Sequence, residues 1–342
     1  PDPPSNQGSG AYLSQSLARP GSRIAILVIS SFAACVVATL LGAVAYTPHE
    51  IWLALTDGTA PQADIIRRLR LPRVVLAFAV GGSLAVAGAS LQAVVGNPLA
   101  EPWLLGLSGG AALGAVIAVV IGLPEGWSVA FAATLGAVLA IALVYRIALV
   151  AGRRLDPRVL LLAGVVTGAF ASAVSAAILA IADPFTFRAA TLWLFGGFSG
   201  ASWGSLLQFL VVAIPAMLVL GWLARPLDLL ALGDETAATL GTDPTKVRRT
   251  AIIATAVLTA ATVSVAGVIG FVGLVVPHAL RWLLGPLHRT LLPASLLAGG
   301  TFTVLADTFA RTVLAPAELP VGVVTALVGV PIFAVLLRRS AG

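Results

Sequence analysis

Charge is what this sequence has least of. Only 10% of its 342 residues are Asp, Glu, Lys or Arg, while 59% are hydrophobic and the mean hydropathy is +1.03. A soluble domain has about a quarter of its residues charged, so this chain could not cover a water-facing surface. Its one cysteine, Cys35, excludes an intrachain disulfide. One methionine (Met217) and three histidines (His49, His278, His288) are too few to line a path for stripped soft metal ions, and no H-E-x-x-H pair occurs. The single lysine, Lys246, stands in "GTDPTKVR", outside any phosphate-binding loop of the G-x-x-x-x-G-K-[ST] type. No nucleophile–base–acid set is visible. Catalytic and metal sites are therefore both expected to be absent. The net charge of +6 is read as loop charge beside a membrane, with no nucleic-acid partner.

What the chain does have is apolar runs near the ~20 residues that a helix needs to cross a bilayer. Ten are bounded by Pro, Gly and charge, at roughly 24–46, 74–95, 104–123, 128–151, 159–182, 203–224, 250–268, 270–284, 291–314 and 321–337. The eighth is the shortest and opens on the glycines of "GVIGFVG". The expected fold is all-α, a polytopic membrane protein of about ten helices in contact with lipid. Residues 1–22, rich in Pro, Gly and Ser and without an apolar core, read as a flexible polar tail and not as a signal peptide. Residues 23–342 form the transmembrane domain.

An even number of spans puts both termini on one side. With the termini inside, all but six of the 20 Lys and Arg fall on the cytoplasmic side, as the positive-inside rule requires. The exceptions are Arg188, Arg311 and four arginines in "RRLRLPR": Arg67, Arg68, Arg70 and Arg73. Arginines at a helix mouth can snorkel to lipid phosphates. Four within seven positions exceed what anchoring needs, and an acidic partner outside is the preferred reading. Asp307 and Arg311, spaced i, i+4, are read as a structural pair near the outer face. Intramembrane carboxylates of the kind that relay protons are otherwise scarce, which weighs against an ion-coupled secondary transporter, the rival from another class.

Glycine is abundant, with 35 residues. "GAALG" (Gly110–Gly114) and "GVVTG" (Gly164–Gly168) are small-xxx-small patterns that let helices pack closely. The longest polar interruption, residues 225–249, contains "LALGDETAATLG". Asp234 and Glu235 open a short helix there, Gly241 closes it and Pro244 follows. A short cytoplasmic helix between loops has the form of a docking element.

Four stretches then carry a resemblance: "RLPRVVLAFAVGGSLAVAGASLQAVVGNPLAEPWLLGLSGGAALG", "LLALGDETAATLG", "GFVGLVVPHALRWLLGPLHRTLLP" and "APAELPVGVVTALVGVPIFAVLLRR". They resemble the signature stretches of the iron-chelate, cobalamin and haem uptake permeases, the membrane subunits of type II ABC importers, from about residue 65 to the C-terminus. The resemblance implies ten helices per subunit, a homodimer, two cytoplasmic ATPase subunits, a periplasmic substrate-binding protein and a bacterial inner membrane with both termini cytoplasmic. It implies no cofactor in this chain, with ATP and Mg used by the partner ATPase. Gly233, Asp234, Glu235, Leu240 and Gly241 match the ATPase-coupling helices, near 230–245. Asn97 and Leu99 match a loop that closes the cytoplasmic end of the path. Arg70, Arg73 and Arg311 match outward positions that engage acidic residues of the binding protein, with Arg67 and Arg68 as neighbours. One departure is Pro157–Arg158, where some relatives carry small hydroxyl residues before an LLLAG-like stretch. On overall likeness haem is the expected cargo, with ferric siderophores or cobalamin as the alternatives.

Overall fold

The structure, a computed structural model, describes residues 20–42, 44–123, 127–150 and 157–340. Fourteen α-helices and no strand occur among them. They are α1 (Pro20–Leu40), α2 (Pro48–Thr56), α3 (Leu71–Val95), α4 (Leu107–Val120), α5 (Trp127–Val150), α6 (Pro157–Ala180), α7 (Pro184–Leu194), α8 (Trp203–Trp222), α9 (Ala224–Leu230), α10 (Asp234–Thr239), α11 (Pro244–Ala266), α12 (Val272–Leu284), α13 (His288–Thr312) and α14 (Val321–Ser340). Seven are long and apolar enough to cross a membrane, and α4, α12 and α14 are shorter apolar helices. Together these fall on the ten apolar runs of the sequence. The expected tail 1–22 lies outside the described residues except for its last three, which already belong to α1.

Two short helices on the 41–70 and 181–202 connections were not expected. α2 starts on a capping box: Thr47 and Glu50 each accept from the other's backbone N–H. α7 starts on Asp183, whose carboxylate accepts from the N–H groups of Phe185 and Thr186 at 3.0 and 3.1 Å. The Thr186 side chain, and after it these backbone bonds, hold the Asp183 carboxyl below its usual range. A π-helical turn, Ile65–Arg70, leads into α3.

α3 is the interior helix. In the span that contains it 83% of the most apolar window is buried, against 22–33% for α1, α5, α6 and α8. Those peripheral helices keep apolar side chains outward, as a lipid-facing ring does. Close backbone approach holds the centre together. A Cβ on Gly81 of α3 would stand 2.1 Å from Thr303 Oγ1 and 2.4 Å from the Gly299 carbonyl of α13. The expected small-residue seam is also present: a Cβ on Gly110 of α4 would meet the Gly136 carbonyl of α5 at 2.5 Å.

Candidate functional site

The arginine stretch is built into the fold. Arg67 Nε and Nη2 donate to the carbonyls of Ala54 (2.6 Å) and Leu55 (2.7 Å), closing the last turn of α2. Arg70 does the same for α1, with Nη1 donating to Thr39 (2.9 Å) and Leu40 (3.2 Å) and Nη2 to Val44, while its guanidinium lies 4.5 Å from the Tyr46 ring centroid. Helix C-termini leave carbonyls without partners and favour cations; both arginines supply that need from another segment. Arg73 joins two acids: Nε and Nη2 donate to Asp307 at 2.8–3.1 Å, Nη1 and Nη2 to Glu318 at 2.9–3.1 Å. Arg311 donates to the Ala38 carbonyl and lies 3.6 Å from Asp307.

The trio expected to face a binding protein is thus held largely by contacts within the subunit. Arg70 and Arg311 are 7% and 6% exposed, and Arg73 is largely covered and doubly neutralised. Their partners are backbone carbonyls and acids distant in sequence, which local spacing cannot show. The expected Asp307–Arg311 pair exists, but Asp307 is bound more closely by Arg73. Arg68, paired with Asp64 at 2.9 Å, is the well-exposed member of the stretch, its side chain 78% accessible.

At the other end of the helices, α9 and α10 are the two short helices of the 225–249 stretch, where a docking element is expected. Gly233 (φ +99°) and Gly241 (φ +80°) bracket α10 in backbone conformations that glycine adopts without strain. Ala237 is fully buried and anchors the helix, while Leu232 and Leu240 are 62% and 58% exposed and Glu235 is exposed. Asp234, in the first turn, is held by Arg248 of α11 through two bonds of 2.6 and 2.7 Å. Of the five residues expected to meet an ATPase, Glu235 and Leu240 have exposed side chains, Asp234 is shared with α11, and the two glycines shape the turn.

Between α3 and α4, Asn97 Oδ1 accepts the Leu99 N–H at 2.9 Å, fixing a tight turn that leaves Leu99 38% exposed. Four residues on is Glu101, an acid to which the sequence reading gave no role. Its carboxylate is buried and accepts the Phe271 N–H at 2.5 Å, at the start of α12. Burial pushes its carboxyl up to about 7, the Phe271 bond acting in the opposite sense. Phe271 itself is left-handed (φ +67°), the non-glycine exception among the described residues, a conformation that costs roughly 1–2 kcal/mol. The motif "GNPLAEP" held the signal for Glu101: an acid between apolar residues and a proline.

Two of the three histidines are buried within the bundle. His288 stands at the first residue of α13 against Asp228 of α9, His278 lies on α12 beside Trp282, and His49 is exposed on α2. Arg158 opens α6, its side chain outside the description. A cavity of about 660 Å³ lies between α5, α7, α8 and the start of α14, with Trp127, Arg188, Trp193, Ser199 and Glu318 in its wall.

The FecCD transport family model matches residues 26–339. The chain belongs to the FecCD transport family. It is a multi-pass permease of the type II ABC importer class. Among similar FecCD-type proteins is the vitamin B12 import system permease protein BtuC of Vibrio cholerae, 41% identical over 319 residues that cover 93% of this chain and 94% of the relative. The cobalamin import system permease protein BtuC of Halobacterium salinarum is 44% identical over 274 residues, covering 80% and 73%. A solved metal-chelate type ABC transporter in an inward-facing conformation superposes with a TM-score of 0.84 at 30% identity, covering 93% of this chain and 99% of the other. PsaBC from Streptococcus pneumoniae, at a TM-score of 0.54 and 16% identity, shares the fold alone. Relatives named for vitamin B12 or cobalamin give the haem expectation no support and favour its cobalamin alternative.

Proposed function

We propose that this FecCD permease imports cobalamin or a closely related corrinoid, as a homodimer driven by two separate cytoplasmic ATPase subunits that use ATP and Mg. The observation that carries the substrate is the end-to-end 41% identity to a vitamin B12 permease. A haem or siderophore cargo has no comparable support. The ATPases dock on α10, with Glu235 and Leu240 as principal contacts, Asp234 contributing at its free edge, and Gly233 and Gly241 setting the turn. Asn97 and Leu99 close the cytoplasmic end of the path. The protein sits in the bacterial inner membrane with both termini cytoplasmic, consistent with the distribution of its basic residues.

On the outer face a periplasmic binding protein delivers the corrinoid. Exposed Arg68 is its first charged contact. Arg70, Arg73 and Arg311 serve beneath it as the frame that holds that face in shape.

The test is uptake into proteoliposomes holding the permease, its ATPase and labelled cobalamin on the binding protein. Cobalamin import that requires ATP and Mg is expected, with haem imported far less. Haem import without cobalamin import overturns the substrate. Uptake on an ion gradient alone, without the ATPase, would establish the secondary-carrier reading instead.

A further inference from the structure

An ATPase seated on α10 must move the spans, so some contact has to carry displacement from the docking unit into them. Among the described residues, two side-chain pairs tie α9–α10 to the transmembrane helices. One is Asp234 with Arg248 on α11. The other is Asp228 of α9 with His288, the first residue of α13.

The second pair has an unusual construction. The residue at the N-cap of α13 is Leu287, and its side chain cannot accept a hydrogen bond. Asp228 supplies the cap from 60 positions away: its Oδ1 accepts the His288 backbone N–H at 2.9 Å and meets ring Nδ1 at 2.6 Å. The free N–H groups and dipole of a helix start favour a carboxylate there. The His288 side chain is 5% exposed and that of Asp228 20%, so water competes little for the bond. α9 is seated by Leu227 and Leu230, both buried, and runs directly toward α10. Any displacement of α10 that carries α9 with it therefore acts on the N-terminus of α13.

α13 is also the helix packed without a gap against interior α3, through Gly81 and Gly299. Close to its start, Gln92 of α3 clamps α12 at two points. Its Nε2 donates to the Gly273 carbonyl at 3.2 Å, and its Oε1 accepts from Arg281. α3, α12 and α13 are thus laced together, and the Asp228–His288 cap joins the docking unit to that assembly.

We infer that Asp228 and His288 are positioning residues for transport: their cross-helix cap transmits movement of the ATPase-docking unit to α13. The inference rests on the reading that α10 docks an ATPase. A pair that only stabilised α13 would affect every activity together. A transmission contact separates them, because hydrolysis continues while transport lags.

The experiment uses the whole transporter in proteoliposomes, with its ATPase and cobalamin-loaded binding protein, and reads ATPase co-purification, ATP hydrolysis and cobalamin uptake. Asp228→Ala and the double variant Asp228→Ala/His288→Ala are expected to retain the ATPase and to hydrolyse ATP within about twofold of the parent, while importing at least about tenfold less cobalamin per ATP. Asp228→Asn keeps an acceptor for the His288 N–H and is expected to return import per ATP to within about threefold of the parent. An unchanged ratio in the alanine variants overturns the inference, as does loss of hydrolysis and import in equal proportion. Should the alanine variants not reach the membrane, Asp228→Glu, which shifts the same carboxylate by one methylene, is read in their place. More ATP per cobalamin is then expected, and the parent ratio overturns the inference. A parent that imports no cobalamin defeats the functional reading itself; a parent that imports, with variants matching it, defeats this inference alone.

Discussion

The arginine stretch before α3 and the α9–α10 unit invert what their sequences suggest. "RRLRLPR" gathers more positive charge than any other seven residues of the chain, yet Arg67 and Arg70 close helix ends and Arg73 holds two acids. "LALGDETAATLG" has two charges, yet it leaves Leu232, Leu240 and Glu235 open to solvent. Dense charge next to an apolar helix marks a place where backbone carbonyls and buried acids need cations. A short, glycine-bracketed helix carrying apolar side chains on its open face is the better sign of a partner. Charge held internally should govern stability, and open apolar residues should govern association.

That contrast breaks most visibly at Arg73. Arg73→Ala leaves Asp307, whose side chain is 2% exposed, with only the longer Arg311 contact. Removing one partner of a buried pair costs about 3–5 kcal/mol, read as a lower unfolding midpoint in detergent. A variant as stable as the parent would show that the outer charges are not structural. At Leu240 the opposite pattern is expected. Leu240→Ala should leave the unfolding midpoint in place and weaken ATPase association by about 2 kcal/mol, the scale of an interface hot spot, measured by titration of the ATPase.

Glu101 sharpens the contrast by pH. Its folded carboxyl is raised to about 7 from the ordinary 4.5. Between those values the unfolded chain releases a proton that the folded chain retains, so stability falls as pH rises from about 4.5 to about 7 and is level above. Glu101→Gln should flatten that stretch of the stability–pH curve; an unaltered slope assigns it to other groups. Arg68→Ala should do least. The Arg68–Asp64 pair is exposed, and such pairs contribute roughly 0–1 kcal/mol, so the midpoint should hardly move. Binding-protein association in Arg68→Ala should be slower at low salt and converge on the parent as salt rises.

Seven apolar helices were legible because bilayer crossing imposes a length that composition alone reveals, and the shorter α4, α12 and α14 because Pro, Gly and charge bound their apolar runs. α2 and α7 were not expected, although Thr47–Glu50 and Asp183–Pro184 are helix-start patterns; apolar length was the criterion, and these helices are short. The turn residues of α10 were legible, since Gly233 and Gly241 are local features. The burial of Arg70 and Arg311 was not. Their acceptors lie on α1 and, for Arg70, also at Val44 just beyond it, and nothing in local spacing reports which carbonyls a distant helix leaves open. Glu101 escaped for the same reason, its partner being the N–H of Phe271, 170 positions away.

The Arg73–Asp307 bond joins residues 234 positions apart. At 5–20 residues per second, ribosomal synthesis takes about 10–50 s to cover that distance. For that interval the emerging chain holds a charged α3 mouth without its counter-ion. An arginine at the outer end of a helix can reach lipid phosphates in the meantime, whereas the same charge at mid-helix would stall in hydrocarbon. Where Arg73 lies along its helix therefore also bears on biogenesis: at a helix end, lipid phosphate is a counter-ion within reach until α13 is made.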